Sequence, residues 1–236
     1  MKYMGSKSRL VKDLKPIIEK YIKENNIDTY IEPFVGGANM IKEIECKNKI
    51  GYDLNNYLIA LLNAIKDGKE FSSEITKEKY LDIKENKDKY EDWYVGLVGI
   101  CGSFKGKWFG GLAHITKTKK GIRNYFDEAI KNVNKDRQKM NDITFVTEDY
   151  KNLEFENVLI YCDPPYKGTT DYSFKKGFDH DKFWEWARKM SKNNIVLISE
   201  YDAPEDFECI FEKPIKTNLS SVKSFNSCEK LFVLKK

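Results

Sequence analysis

The sequence is poor in the residues on which metal and nucleotide chemistry most often relies. Histidine occurs only at positions 114 and 180, and neither HExxH nor a paired Cys/His spacing is present. Zinc sites of the usual kind are thereby excluded, and no metal is expected. The five cysteines (46, 101, 162, 209 and 228) are odd in number and never form CxxC, which points to free thiols in a reducing, cytoplasmic compartment. No GxxxxGK[ST] occurs, so an ordinary P-loop is excluded, and GxGxxG is missing as well. No apolar run approaches the length of about 18 residues that a membrane span needs. The opening Met-Lys-Tyr-Met-Gly-Ser-Lys passes straight into an amphipathic pattern, so neither a leader nor a membrane partner is expected.

What remains is a wet-surfaced globular chain of 236 residues, 41% hydrophobic and 33% charged, enough for one domain with a smaller insertion. Its net charge of +4 says little about partners. The distribution says more. Residues 101–126 carry Lys105, Lys107, Lys117, Lys119, Lys120 and Arg123 with no acid, so +6 sits in this run and −2 in all the rest. Phe104, Trp108, Phe109, Tyr125 and Phe126 interleave with it. Basic groups neutralise phosphates and aromatics stack or wedge between bases. This pattern suits nucleic acid; a solvated loop with its own small core is the alternative.

Hydrophobic spacing predicts a helix over 8–24, with Ser6 or Ser8 placed to cap it, a strand at 29–32, a helix over 38–46, a strand at 49–53 and a helix over 54–65. Residues 66–92 read as a charged, solvated helical face. Six of the fourteen glycines fall at 96–111, where glycine's cost in helices predicts loops and a hairpin-like excursion. A helix over 125–140, strands at 143–147 and 158–162, a helix over 180–191 and strands at 195–199, 207–211 and 231–234 complete the pattern. Alternating strands and helices predict an α/β fold with a parallel sheet. The expected organisation is one α/β domain from 1–65 and 141–236, interrupted by an insertion at 66–140.

Two strand ends stand out. Glu32-Pro33-Phe34-Val35-Gly36-Gly37 follows the first strand, and Asp53 lies 21 residues after Glu32, at the end of the next. An acid about 20 residues beyond such a turn can hold a ribose diol, although an ordinary tight turn accounts equally well for the glycines. Tyr161-Cys162-Asp163-Pro164-Pro165-Tyr166 is sharper. An apolar strand delivers Asp163 to its carboxyl end, where open α/β sheets bind ligands. Pro164 and Pro165 stiffen the segment and donate no N–H. The Asp163 carboxylate, the Pro164 carbonyl and the Tyr166 ring together suit a planar group bearing an amine. Cys162 should face away from this site, because strand residues alternate. Lys2 to Lys7, taken alone, is an ordinary charged helix start.

In this order the motifs resemble the Dam-like, D12 class of DNA adenine-N6 methyltransferases. The resemblance covers nearly the whole chain and rests on Tyr3-x-Gly5-x-Lys7, Glu32 to Gly37, Asp53, Asp149-Tyr150 and Asp163-Pro164-Pro165-Tyr166. It implies a Rossmann-like fold that uses S-adenosylmethionine and acts on double-stranded DNA in a site-specific way, as restriction–modification enzymes do, with the recognition insertion at 66–140. It further implies that Tyr3, Lys7, Glu32, Phe34, Gly36, Asp53, Asp149, Tyr150 and Asp163 hold the cofactor. Asp163 to Tyr166 would carry catalysis. DNA contacts are expected from Lys105, Lys107, Trp108, Lys117, Lys119, Lys120 and Arg123, in a monomer or weak dimer. The Gly-Gly-Ala order at 36–38 departs from the Gly-x-Gly of many relatives. A methyltransferase acting on cytosine N4 or RNA would suit the same acceptors. A nicotinamide oxidoreductase and a non-catalytic DNA-binding protein leave more of the motifs without a role.

Overall fold

The computed structural model describes residues 1–113, 115–118, 121–167, 177–217 and 225–235. A seven-stranded sheet runs in the order β5-β2-β1-β6-β7-β9-β8, with β1 at Thr29–Glu32, β2 at Asn48–Asp53, β5 at Ile143–Thr147, β6 at Leu159–Cys162, β7 at Ile195–Glu200, β8 at Phe207–Thr217 and β9 at Phe225–Leu234. The first five strands in that order are parallel, and β9 and β8 are antiparallel additions. This is the expected Rossmann-like α/β sheet. The helices are α1 (Val11–Glu24), α2 (Asn56–Lys66), α3 (Lys77–Glu85), α4 (Asp92–Gly96), α5 (Tyr125–Asp136) and α6 (His180–Met190). None of them is long and apolar enough to cross a membrane.

The apolar faces read from the sequence are the buried ones. Leu14, Ile18 and Ile22 of α1 and Leu58, Leu61, Leu62 and Ile65 of α2 enter one core cluster with Tyr30 of β1. Phe183, Trp186 and Ala187 of α6 pack on Ile31, Ile160 and Ile198 across the other face. Caps fall where short polar side chains precede the helices: Ser6 accepts from the Ser8 N–H before a 3-10 turn, Asn55 opens α2, Asn124 opens α5 and Asp179 opens α6. Within 66–140, Ala129, Ile130 and Val133 of α5 join the main core, while Tyr80, Ile83, Val95, Val98 and Phe109 form a smaller cluster. A two-stranded ribbon, β3 (Ile115–Thr118) and β4 (Gly121–Asn124), stands apart from the sheet.

Three expectations are corrected. No α-helix spans 38–46. A 3-10 turn at Ile41–Glu43 takes its place, and Ala38 has a positive φ of 52°. Met40, Ile41 and Ile44 are buried at helix-like spacing, but the backbone turns extended at Ile44 on its way into β2. The glycine-rich run is helical at its start: α4 continues into a π-helical turn, Leu97–Cys101. Only then does it become hairpin-like, where Ser103 bridges Leu112. Helix propensity is overruled here by close approach, since a Cβ on Gly96 would lie 2.1 Å from the Tyr57 carbonyl oxygen of α2. Finally, β8 and β9 outrun their apolar stretches: the antiparallel ladder continues through charged positions, with Glu212 opposite Lys230 and Lys213 opposite Glu229, while Lys213 itself reaches Asp13 of α1. Pro214 is tolerated because β8 is an edge strand.

Gly96→Ala is expected to push α4 off α2 and to destabilise the fold by about 2 kcal/mol or more, read as a lower midpoint in urea unfolding.

Candidate active site

Parallel strands end at one edge of a sheet, and here neighbouring strands end in acids. In spatial order, Asp53 closes β2, Glu32 closes β1, Asp163 follows β6 and Glu200 closes β7. Asp53, Glu32 and Asp163 line a single cavity of about 1790 Å³, well beyond the roughly 300–1,000 Å³ of a site for one small molecule.

At one end of the cavity, the turn after β1 meets β2. Asp53 accepts the Gly36 N–H at 3.1 Å and the Asn55 N–H at 3.0 Å, one on each oxygen, and lines the cavity. Phe34 and Tyr150 rings lie 5.2 Å apart, and Phe178 closes the group at 5.8 and 5.7 Å from them. Asp149 caps the short turn that carries Tyr150. The Tyr150 hydroxyl is buried and has no hydrogen-bond partner among the described residues. The glycines serve Tyr3. A Cβ on Gly36 would lie 3.0 Å from the Tyr3 ring, and one on Gly37 would lie 2.7 Å from the Tyr3 Cβ. The close approach expected of a ligand is thus made first by the protein's own N-terminal segment. Below the turn, Glu32 is buried and accepts from the Tyr30 hydroxyl at 2.8 Å.

At the other end, Asp163 remains partly open, with 21% of its side chain exposed, and its Oδ1 is 3.1 Å from the Lys7 Nζ. Lys7 also reaches Glu229 Oε2 at 3.3 Å and sits 4.2 Å from the centre of the Tyr166 ring. The Tyr166 hydroxyl donates to that Glu229 oxygen at 2.8 Å, and the Tyr201 ring meets Tyr166 edge-on at 4.6 Å. Pro164 and Pro165 line the same cavity. Cys162 faces away as expected, into the core with Ile31 and Ile198, and burial holds its thiol well up.

Of the expected DNA contacts, Lys105, Lys107, Trp108 and Arg123 line the outer part of the cavity. Trp108 stacks on Tyr57, and Arg123 is held by Glu128 and lies over the Tyr125 ring. Lys117 is exposed on β3. Lys119 and Lys120 lie outside the described residues. Glu200, Glu229, Phe178 and Tyr201 were not singled out from the sequence. Glu200 carries the same signal as Asp53, an acid ending a buried strand. Glu229 carries none, because β9 mixes charged and apolar residues without a pattern.

Burial raises the carboxyls of Glu32, Asp53, Asp163 and Glu200, Asp53 to about 6 and Glu200 to about 7. Lys7 opposes the rise at Asp163. Burial alone would lower the Lys7 ammonium, but Asp163 and Glu229 outweigh it and leave it raised.

The family profile described as D12 class N6 adenine-specific DNA methyltransferase matches residues 3–98 and 99–204. Over 248 residues the chain is 27% identical to the type II methyltransferase M.MjaIII of Methanocaldococcus jannaschii, covering 88% of this chain and 85% of that one. It is 25% identical to the type II methyltransferase M.FokI of Planomicrobium okeanokoites, covering 83% of this chain but 33% of that one. Among solved structures, an rRNA methyltransferase, AviRa from Streptomyces viridochromogenes, aligns with a TM-score of 0.47 at 10% identity, over 99% of this chain and 86% of that one.

The raised carboxyls fix a pH dependence. A carboxyl whose folded value lies above its unfolded one binds its proton more tightly when folded, so stability falls as pH rises from about 4 to the folded value. Asp179 and Asp206, lowered by hydrogen bonds, act in the opposite sense at and below the ordinary carboxylate range, and His180 and the N-terminal ammonium, lowered by burial, oppose the trend nearer neutrality, two groups against four. The melting temperature is therefore expected to be higher near pH ~5.5 than near pH ~7.5, measured by calorimetry.

Proposed function

We propose, for a chain that belongs to the D12 class of N6 adenine-specific DNA methyltransferases, that the cavity at the carboxyl edge of the sheet holds cofactor and target base together. The observation that carries this reading is that the Asp163 carboxylate opens into the same space as Asp53, Glu32 and the Phe34–Tyr150 rings. The enzyme is an adenine-specific DNA methyltransferase, and its cofactor is S-adenosylmethionine.

The residues present fit that cofactor. Asp53 offers a carboxylate suited to ribose hydroxyls. Glu32, a buried acid without a lysine or arginine partner among the described residues, suits the amino group of the methionine part. Phe34, Tyr150 and Phe178 offer a flat pocket for the adenine, and the orphaned Tyr150 hydroxyl supplies a polar atom there. Tyr3, Gly36, Asp149 and Lys7 complete the wall. When bound, the cofactor would supply an electrophilic methyl group on sulfur; as its C–S bond gave way to the new N–C bond, the surplus N6 proton would leave through Asp163 to solvent.

The chain's own residues do the rest. A target adenine must leave the duplex, at a cost of a few kcal/mol, and Tyr166 recovers part of it by stacking. The N6 lone pair is delocalised into the ring and is a poor nucleophile. Asp163 and the Pro164 carbonyl accept the two N6 hydrogens, which draws the nitrogen toward a tetrahedral shape and frees the lone pair. These acceptors are held in place before the reaction, so little reorganisation opposes it. Lys105 and Lys107, on the cavity's outer rim, and Lys117 neutralise DNA phosphates. Residues 66–140 form the recognition part inserted between the two stretches of the catalytic part, and the working unit is a monomer or weak dimer that needs no metal.

Asp163→Ala is expected to lower the rate of labelled methyl transfer from S-adenosylmethionine to DNA by about a thousandfold or more while leaving cofactor binding measurable by calorimetry. Transfer near the wild-type rate would sink the reading. Asp53→Ala is expected to weaken cofactor binding by about tenfold or more, for two lost hydrogen bonds, with transfer recovering at saturating cofactor.

A further inference from the structure

Lys7 is shared. Its ammonium lies 3.1 Å from Asp163 Oδ1 and 3.3 Å from Glu229 Oε2. The Tyr166 hydroxyl donates to that same Glu229 oxygen at 2.8 Å. Glu229 comes from β9, one of the antiparallel strands added to the parallel sheet, and only 14% of its side chain is exposed. A buried carboxylate is costly unless it is paired. Asp163 alone would neutralise Lys7, yet a second acid is seated on it. The reaction as set out above gives that second acid no task.

A difficulty at Asp163 supplies one. The Asp163 carboxylate should accept hydrogen from the adenine amine, and Lys7 already lies on its Oδ1. An ammonium on that oxygen competes with the incoming donor and weakens the carboxylate as an acceptor. Moving Lys7 away would strand a buried cation unless another anion is in reach.

We propose that Glu229 is a positioning residue for methyl transfer: it is the second seat of the Lys7 ammonium, which moves from Asp163 onto Glu229 as the target amine takes Oδ1. The same carboxylate anchors the Tyr166 hydroxyl, so the lysine's shift and the placing of the stacking ring are coupled through one oxygen. The inference rests on the reading of Asp163 as the acceptor for the amine. The groups that face Asp163 are Lys7 from the N-terminal segment, Glu32 of β1, Tyr161 and Tyr166 of its own segment, Glu200 of β7 and Glu229 of β9. Removing the Glu229 charge takes one negative neighbour from Asp163 and leaves Lys7 bound to it more firmly. Both changes ease ionisation of Asp163.

Glu229→Gln keeps an acceptor for Tyr166 and removes only the charge. Its kcat for methyl transfer to DNA is expected to fall about tenfold or more, with KM for cofactor and DNA within about twofold. The acidic limb of its kcat profile is expected to move to lower pH. Glu229→Ala also removes one of the hydrogen bonds that place Tyr166, so KM for DNA is expected to rise as well. In a Lys7→Met background, Glu229→Gln is expected to have little further effect, because its influence passes through Lys7. A folded Glu229→Gln protein with wild-type kcat and an unmoved acidic limb would overturn the proposal, as would full additivity with Lys7→Met. If Glu229→Gln does not fold, Glu229→Asp keeps the charge at shorter reach. Reduced kcat there supports the role, and unchanged kcat refutes it. A wild-type protein that transfers no methyl to adenine would refute the reading of the site instead, so the two failures are distinct.

Discussion

Everything at this site follows from setting acids side by side where water is scarce. The parallel strands bring Asp53, Glu32, Asp163 and Glu200 to one edge, and burial makes each of them reluctant to ionise. A site meant to receive a cationic methyl donor and an amine gains from that reluctance being overcome by the guests rather than by the protein. Among the described residues Lys7 is the buried cation set among these acids. It offsets part of the repulsion at Asp163, while Glu32 and Asp53 have no ion-pair partner among the described residues. Stability is thereby traded for binding capacity, the expected sign wherever charges are held ready and unpaired.

The glycine turn shows a second trade. Gly36 and Gly37 leave room for Tyr3, so the start of the chain is folded against the turn that follows β1. Tyr3 and Lys7 belong to the same short segment, and its seat on the glycines aims Lys7 between Asp163 and Glu229. Tyr3, through that seat, thus bears on where the Lys7 charge lies. Ala38, buried at positive φ, marks the point at which the turn gives up the usual glycine and accepts local strain.

Much of this was legible in the sequence, and the reasons are local. An apolar run ending in an acid marks a buried strand that delivers a ligand group, so Asp53 and Asp163 could be placed before any coordinates were known. Helical faces of three- and four-residue period located α1, α2, α5 and α6. The sequence was silent wherever a contact between distant segments decided the outcome. The helix through Gly96 exists because Tyr57 of another helix lies against it. The length of β9 comes from its backbone ladder with β8, which runs on through charged positions. The place of Glu229 beside Lys7 depends on a strand crossing that leaves no trace in the pattern of either segment.

The contact between Gly96 and the Tyr57 carbonyl has a consequence for how such enzymes could diversify. It joins the segment that leads into the basic run to the helix after Asp53, main chain against main chain, with no side chain to act as a cushion. A segment transplanted from a relative would dock only if its own helix also presented a bare α-carbon at that crossing. Changes to the β3–β4 ribbon, which forms a sheet of its own, meet no such constraint.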